Sequence, residues 1–222
     1  MPKPSRRFDA VLFDMDGVLV DSEHRWNEVR LAFAAERGRP WTEFDQRAVM
    51  GANSRQWSST MRDRLRLDES AEEIQEAIVS GVVAAFRVGS VEVVAGAREA
   101  VRRIAGSYPI ALASSSHHDV ISASLDLLGL RDAFGAVVSS DDVAHGKPAP
   151  DVYEHAARQL GADPARCLVI EDSTNGVLAG KAAGAFVVLV PSQTVLAADA
   201  AFEAADLVIE RLADVDPDAL PA

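Results

Sequence analysis

Short apolar runs recur along this chain, each ending in small or polar residues and each separated from the next by a helix-like stretch. The runs are Ala10-Val11-Leu12-Phe13, Ile110-Ala111-Leu112-Ala113, Ala136-Val137-Val138, Cys167-Leu168-Val169-Ile170 and Phe186-Val187-Val188-Leu189-Val190, with Leu207-Val208-Ile209 as a sixth. Continuous apolar character, rather than strict alternation, marks strands buried on both faces, which requires helices above and below a parallel sheet. Helical stretches near Gly96 to Ile104, His117 to Leu128, Asp151 to Leu160 and Asn175 to Ala183 supply them, and Gly129, Gly161 and Gly184 close three. The expected fold is therefore α/β, a doubly wound Rossmann-like parallel sheet.

One stretch breaks the rhythm. From about Asp21 to Ser90 only helical periodicity is found, and a gap of that length between the first two strands is too long for a simple crossover. It reads as an inserted helical subdomain over residues 21–90, leaving a discontinuous body of residues 1–20 and 91–222. Trp26, Trp41 and Trp57 all fall inside the insertion and read as its core. The charge sum, 22 Lys and Arg against 34 Asp and Glu for a net −12, argues against a nucleic-acid partner. The basic cluster Lys3-Pro4-Ser5-Arg6-Arg7 is followed by Asp9, Asp14 and Asp16 rather than by an apolar signal region. No run approaches the roughly 18 apolar residues of a membrane span. The expectation is a cytoplasmic chain without a membrane partner, a monomer by default. Cys167, in a strand-like run, reads as core filler.

Ligands of such sheets bind beyond the carboxyl ends of the strands, so the residues that follow each run carry the functional information. Strand one ends in Asp14-Met15-Asp16-Gly17, the second in Ser114-Ser115-Ser116, the fourth in Glu171-Asp172-Ser173, and Gly146-Lys147-Pro148 follows the third. Clustered carboxylates repel one another unless a cation joins them, so a hard divalent ion, Mg²⁺ by default, completes the set. Lys147 and Ser114 then suit a phosphoryl group. Ser116-x-x-Asp119 also has the form of a capping box, a competing helix-start role for Ser116, and Asn175 and Gly176 read mainly as helix-start geometry.

Asp14-Met15-Asp16-Gly17-Val18-Leu19-Val20-Asp21-Ser22-Glu23, the Ser114 turn, Gly146-Lys147-Pro148-Ala149-Pro150-Asp151 and Glu171-Asp172-Ser173-Thr174-Asn175-Gly176-Val177 resemble the four ordered motifs of the haloacid dehalogenase-like hydrolase superfamily. The insertion is similar to that superfamily's small α-helical cap domain, as found in sugar-phosphate phosphatases and β-phosphoglucomutases. The resemblance implies a Mg²⁺-dependent phosphatase acting on a small phosphorylated metabolite, most plausibly a sugar phosphate. Asp14 would be the nucleophile, forming an aspartyl-phosphate, and Asp16 the general acid and base. Ser114 and Lys147 would stabilise the transferring group. Asp14, Asp172 and the Asp16 main-chain carbonyl would hold the metal, with Glu171 ligating or holding metal-bound water. Gly17, Ser115, Ser116, Arg55 and Asn175 are the substrate-binding candidates.

The closest rival is a β-phosphoglucomutase-like sugar phosphomutase. Gly51-Ala52-Asn53-Ser54-Arg55 resembles the cap segment in which mutases carry a phosphate-gripping Arg. Their sugar-activating His, counted from Asp14, falls on Trp26 here. His24 lies two residues earlier, about 200° away around a helix. A dehalogenase needs no second Asp in its first motif, and a phospho-accepting signalling module lacks an insertion of this size. Hydrolysis is the expected outcome.

Overall fold

The computed structural model describes residues 6–50, 52–192 and 197–220; Lys3, Pro4 and Ser5 of the basic cluster, and Gly51, lie outside the described residues. In chain order the elements are β1 (Ala10–Phe13), β2 (Val20–Asp21), α1 (Glu23–Glu36), α2 (Glu43–Val49), α3 (Ser54–Leu65), α4 (Ala71–Arg87), β3 (Glu92–Val93), α5 (Ala97–Ala105) and β4 (Ile110–Ser114). There follow α6 (His118–Leu128), β5 (Ala136–Ser139), α7 (Asp151–Gln159), β6 (Cys167–Glu171), α8 (Thr174–Ala182), β7 (Phe186–Leu189), α9 (Asp199–Ala204) and β8 (Leu207–Val208).

The sheet has the strand order β5-β4-β1-β6-β7-β8, and every pairing in it is parallel. Alternation sorts each strand's residues between the faces. Val11 and Phe13 join an apolar cluster with Val101 and Ile104 of α5 and Leu125 of α6. Ala10 and Leu12 join another with Val152 and Tyr153 of α7 and Val177 of α8. The chain leaves β1 for β4 and β5 on one side and returns to β6 on the other. The two neighbours of β1 thus diverge at its carboxyl end, which opens the crevice where such sheets bind ligands.

Two strands depart from the expected pattern. Val20–Asp21 and Glu92–Val93 pair antiparallel as a separate ribbon at the two junctions between insertion and body. A two-residue strand is too short to show periodicity, and only the pairing of Val20 with Val93 and Asp21 with Glu92, far apart in the chain, reveals it. Between the junctions α1 to α4 pack together, with α2, α3 and α4 each opened by a capping box, at Thr42, Asn53 and Ser70. Their buried Trp26, Trp57, Ile74, Ile78 and Val82 belong to the same apolar cluster as α5 and α6. Cys167 is buried, and burial pushes its thiol up to about 12, which leaves it inert. Among the described residues no helix is long and apolar enough to cross a membrane.

Because one apolar cluster runs from insertion to body, the two should unfold together. Ile78→Ala, at a fully buried position in α4, should cost about 2–5 kcal/mol. All three Trp residues lie between β2 and β3, so tryptophan fluorescence reports the insertion while far-UV dichroism reports the whole chain. Denaturant midpoints from the two probes should fall together, and a separate early fluorescence transition would contradict a shared core.

Candidate active site

Strand register builds the centre of the site. Phe13 lies opposite Ile170, and the Asp14 N–H donates to the Ile170 carbonyl at 3.0 Å, so Asp14 and Glu171 emerge side by side. By alternation both continue the face that carries Ala10, Leu12 and Val169, the face covered by α7. The loop leading to α7 sends Lys147 between them. Its Nζ donates to Asp14 Oδ1 at 2.5 Å, Glu171 Oε1 at 2.6 Å and the Ala113 carbonyl at 3.2 Å, which uses all three ammonium protons.

Glu171 is saturated. Its Oε1 accepts from Lys147 and from the Tyr153 hydroxyl at 2.7 Å, and its Oε2 from the N–H groups of Asp172 and Ser173 and the Ser173 hydroxyl. The sequence-based expectation that Glu171 ligates a metal or holds its water meets an obstacle here: although Glu171 belongs to the carboxylate cluster, its lone pairs already serve protein donors. Glu171 holds the Lys147 ammonium. Burial works to raise the Glu171 carboxyl, but the Lys147 charge and hydrogen bond overcome it and hold the group below the ordinary value.

Asp14, Glu171 and Asp172 offer oxygens within 4.8 Å of one another, all buried. Three carboxylates against one ammonium leave two negative charges in a low-dielectric setting. No hydrogen bond reaches the Asp172 carboxylate among the described residues, and burial drives its pKa well up, with the Glu171 and Asp14 charges adding to the effect. Burial likewise pushes Asp14 up to about 8 despite Lys147. A hard divalent cation is the complement of this charge, and Asp14 and Asp172 fit as its carboxylate ligands. Two close approaches require glycine: a Cβ on Gly17, whose φ is +85°, would lie 1.8 Å from Asp172 Oδ2, and one on Gly176 would lie 1.6 Å from Glu171 Oε1.

A cavity of about 320 Å³ lies between this cluster and the insertion. From the body Asp14, Asp16, Gly17, Ser115, Ser116, Lys147, Asp172 and Asn175 reach it, while Trp26, Arg30 and Trp57 wall the other side. Asp16 is held by the hydroxyls of Ser22 and, at 2.8 Å, Ser116, and burial raises its pKa. The helix-start reading of Ser116 is corrected: His117 caps α6, its Nδ1 accepting from the Asp119 N–H, which leaves the Ser116 hydroxyl to Asp16. Asn175 lies in the first turn of α8, as expected, and also on the cavity wall.

Ser114, expected to face a phosphoryl group, is fully buried behind the cavity, where its Oγ accepts from the Ser116 N–H at 3.0 Å. It is the last residue of β4, and alternation turns it to the Leu112 side; Ser115 and Ser116, past the strand end, line the cavity instead. Arg55 is exposed on α3 and does not line the cavity. Tyr153, Ser22 and Arg30 went unread in the sequence. Only Arg30 leaves a usable trace there, as a charge on the helical stripe of Trp26 and Phe33.

The raised carboxyls carry a pH signature. Asp14 and Asp172 are more basic folded than unfolded, so their stabilising contribution is present in acid, below about 4, and is lost as pH rises, for Asp14 as it climbs through about 8. Glu171, shifted the other way, contributes fully above its unfolded value. In chelator the melting temperature should therefore fall by several degrees between pH 5 and 8.5. Mg²⁺ should restore more stability at pH 8.5 than at pH 5, and a melting temperature equally insensitive to Mg²⁺ at both pH values would contradict the charge account.

Comparison with known proteins places this geometry. The haloacid dehalogenase-like hydrolase profile matches residues 8–184. The bifunctional riboflavin kinase/FMN phosphatase of Arabidopsis thaliana is 32% identical over 211 residues, covering 93% of this chain but only 54% of that protein, so the chain spans about half of that relative. A phosphorylated carbohydrates phosphatase of Thermotoga maritima is 33% identical over 177 residues, covering 79% of this chain and 82% of that one. The crystal structure of a putative β-phosphoglucomutase from Thermotoga maritima superposes with a TM-score of 0.71 at 30% identity, over 93% of this chain and 95% of that one. With a carboxylate pair, a buried lysine and a helical insertion set around one cavity, and relatives of this identity and coverage, the chain belongs to the haloacid dehalogenase-like hydrolase family as a phosphoric monoester hydrolase.

Proposed function

We propose that the protein is a Mg²⁺-dependent phosphatase of a small phosphorylated metabolite, a sugar phosphate, working through an aspartyl-phosphate on Asp14. The observation that carries this reading is the disposition of the Asp14 carboxylate. Lys147 takes Oδ1 while the residue borders the cavity, so the nucleophile is held at a strand end beside a buried positive charge.

Asp14 would attack phosphorus, forming a bond from its carboxylate oxygen while the ester oxygen departs. Asp16, its pKa raised by burial, would give that oxygen a proton and later take one from the water that cleaves the acyl phosphate. Ser116 donates to Asp16 in the present arrangement and keeps its carboxylate at the cavity wall. Lys147 would offset charge on the equatorial oxygens, with Ser115 and the backbone N–H groups of the neighbouring turn completing the cradle. Glu171 and Tyr153 would act through Lys147 by fixing its ammonium. Asp14, Asp172 and the Asp16 main-chain carbonyl would hold Mg²⁺, which when bound supplies charge neutralisation for an anionic substrate among carboxylates.

Hydrolysis is favoured over mutase chemistry by the insertion. The position of the mutases' His is Trp26, 5% exposed and packed edge-on against Trp57 at 5.9 Å between ring centroids. An indole has no basic nitrogen to ready a sugar hydroxyl. His24 is turned to solvent and paired with Glu28 at 3.0 Å. Arg55, the candidate second-phosphate grip, stays outside the cavity.

Asp14→Asn should lower phosphatase turnover by roughly a thousandfold or more while the chain still folds, and Asp16→Asn should also cost heavily. Steady-state phosphate release, with Mg²⁺ and with chelator, measures both; near-normal turnover by Asp14→Asn, or full activity in excess chelator, would remove the covalent metal-dependent route. Supplied with β-glucose 1-phosphate and a catalytic amount of the bisphosphate, the enzyme should release phosphate without forming glucose 6-phosphate. Efficient interconversion would instead establish the mutase.

A further inference from the structure

Arg30 is anomalous on its helix. Trp26, Arg30, Phe33 and Ala34 form the buried stripe of α1, so the pattern calls for an apolar residue where a cation stands. It is 4% exposed, and its guanidinium carbon lies 4.9 Å from the Trp26 ring centroid and 5.5 Å from that of Trp57. The two rings, 5.9 Å apart between centroids, meet the guanidinium from one side. Its edge is unserved: Nε and Nη1 are buried with no hydrogen-bond partner among the described residues. A buried guanidinium with bare N–H groups is costly unless an acceptor is brought to it, and Arg30 lines the cavity where substrate would sit.

The same wall carries an acceptor. Glu23, two helical turns earlier on α1, also lines the cavity, and its Oε1 accepts from Gln46 Nε2 at 2.7 Å. Gln46 is oriented in turn by Trp41, whose indole N–H donates to its Oε1 at 3.1 Å. This chain fixes the Glu23 carboxylate, and no other hydrogen bond reaches it among the described residues. A rigid carboxylate and a rigid guanidinium therefore stand on one wall, opposite in charge. Other nearby cations are committed: Lys147 to Asp14 and Glu171, and Arg47, largely exposed, to Glu43 at 3.0 Å.

The charge balance selects the ligand. A second phosphate or a carboxylate would gain Arg30 but meet Glu23, whereas neighbouring hydroxyls of a polyol use both, one oxygen accepting from Arg30 and the next donating to Glu23. We propose that Arg30 and Glu23 form the leaving-group subsite and select monophosphates of uncharged polyhydroxy compounds against bisphosphates and phosphorylated carboxylic acids. The proposal rests on the phosphatase reading above and names the substrate class of that same site.

The test is steady-state kinetics of the full chain with Mg²⁺ on sorbitol 6-phosphate, glucose 6-phosphate, fructose 1,6-bisphosphate, phosphoglycolate and p-nitrophenyl phosphate, whose leaving group lacks hydroxyls. The wild type should favour the polyol and sugar monophosphates over bisphosphate and phosphoglycolate by about tenfold or more in kcat/KM. Arg30→Met should lower the ratio of sugar-phosphate to p-nitrophenyl phosphate kcat/KM by roughly tenfold to a hundredfold, chiefly through KM. Glu23→Gln, nearly isosteric and independent of how Arg30→Met folds, should shrink the same ratio and relax the exclusion of phosphoglycolate. Selectivity ratios that stay constant in Glu23→Gln and in folded Arg30→Met, or a wild type that prefers bisphosphate or phosphoglycolate, would overturn the subsite while leaving the phosphatase standing. Failure of the wild type to hydrolyse any ester, p-nitrophenyl phosphate included, would overturn the phosphatase reading and the subsite with it.

Discussion

The ammonium of Lys147, shared between Asp14 and Glu171 inside the protein, is the contact on which the rest of the site depends. Burying these charges is unfavourable unless each is paired and hydrogen-bonded, and here every proton of the ammonium and every lone pair of Glu171 that the fold can reach has a partner. That completeness makes the geometry stiff. Removing one member would strand the others in a low dielectric, so the side chains that merely surround the chemistry are as constrained as those that perform it. Tyr153 in α7 and the N–H groups opening α8 are tied to the same carboxylate, which explains why the start of α8 has no room for a side chain at Gly176.

Cavity and fold meet at a second boundary, between the body and the four-helix insertion. The body fixes the cluster of Asp14, Glu171 and Lys147 by backbone register, because strand pairing sets where Asp14 and Glu171 emerge. The insertion contributes side chains on helices instead, and these face the far end of the cavity. Chemistry is thus held by the part of the molecule least tolerant of change, while the groups that meet the leaving group sit on α1 and its neighbours. The β2–β3 ribbon joins the two parts through only two residue pairs, a slender link compared with the shared apolar cluster.

The insertion also shows a local rule broken at a site of proposed function. A helix stripe that should be uniformly apolar carries Arg30, set against two neighbouring indoles that recover some of the lost solvation but leave its Nε and Nη1 without a hydrogen-bond partner among the described residues. Natural sequences tolerate such conflicts where a ligand resolves them.

The sequence by itself determined the sheet, because continuous apolar runs leave a buried parallel arrangement as the economical way to satisfy backbone and side chains together. It determined the acidic strand ends too, since Asp14, Asp16, Glu171 and Asp172 follow apolar runs directly and local order alone puts them at one edge. Only the tertiary structure decided what each of them does there. Glu171 and Asp172 are neighbours in the chain, yet one carboxylate is saturated by five donors and the other receives none among the described residues, a difference made by Lys147, Tyr153 and the α8 turn rather than by sequence position. Ser114 is turned behind the cavity by strand alternation, whereas Ser116, in the turn beyond the strand, is aimed at Asp16. Arg55 falls on the exposed side of α3, whereas Arg30 falls on the buried stripe of α1 beside two tryptophans. Periodicity is a local property and can be read along a chain, whereas the partner that fills a lone pair or leaves an N–H bare comes from residues tens to more than a hundred positions away.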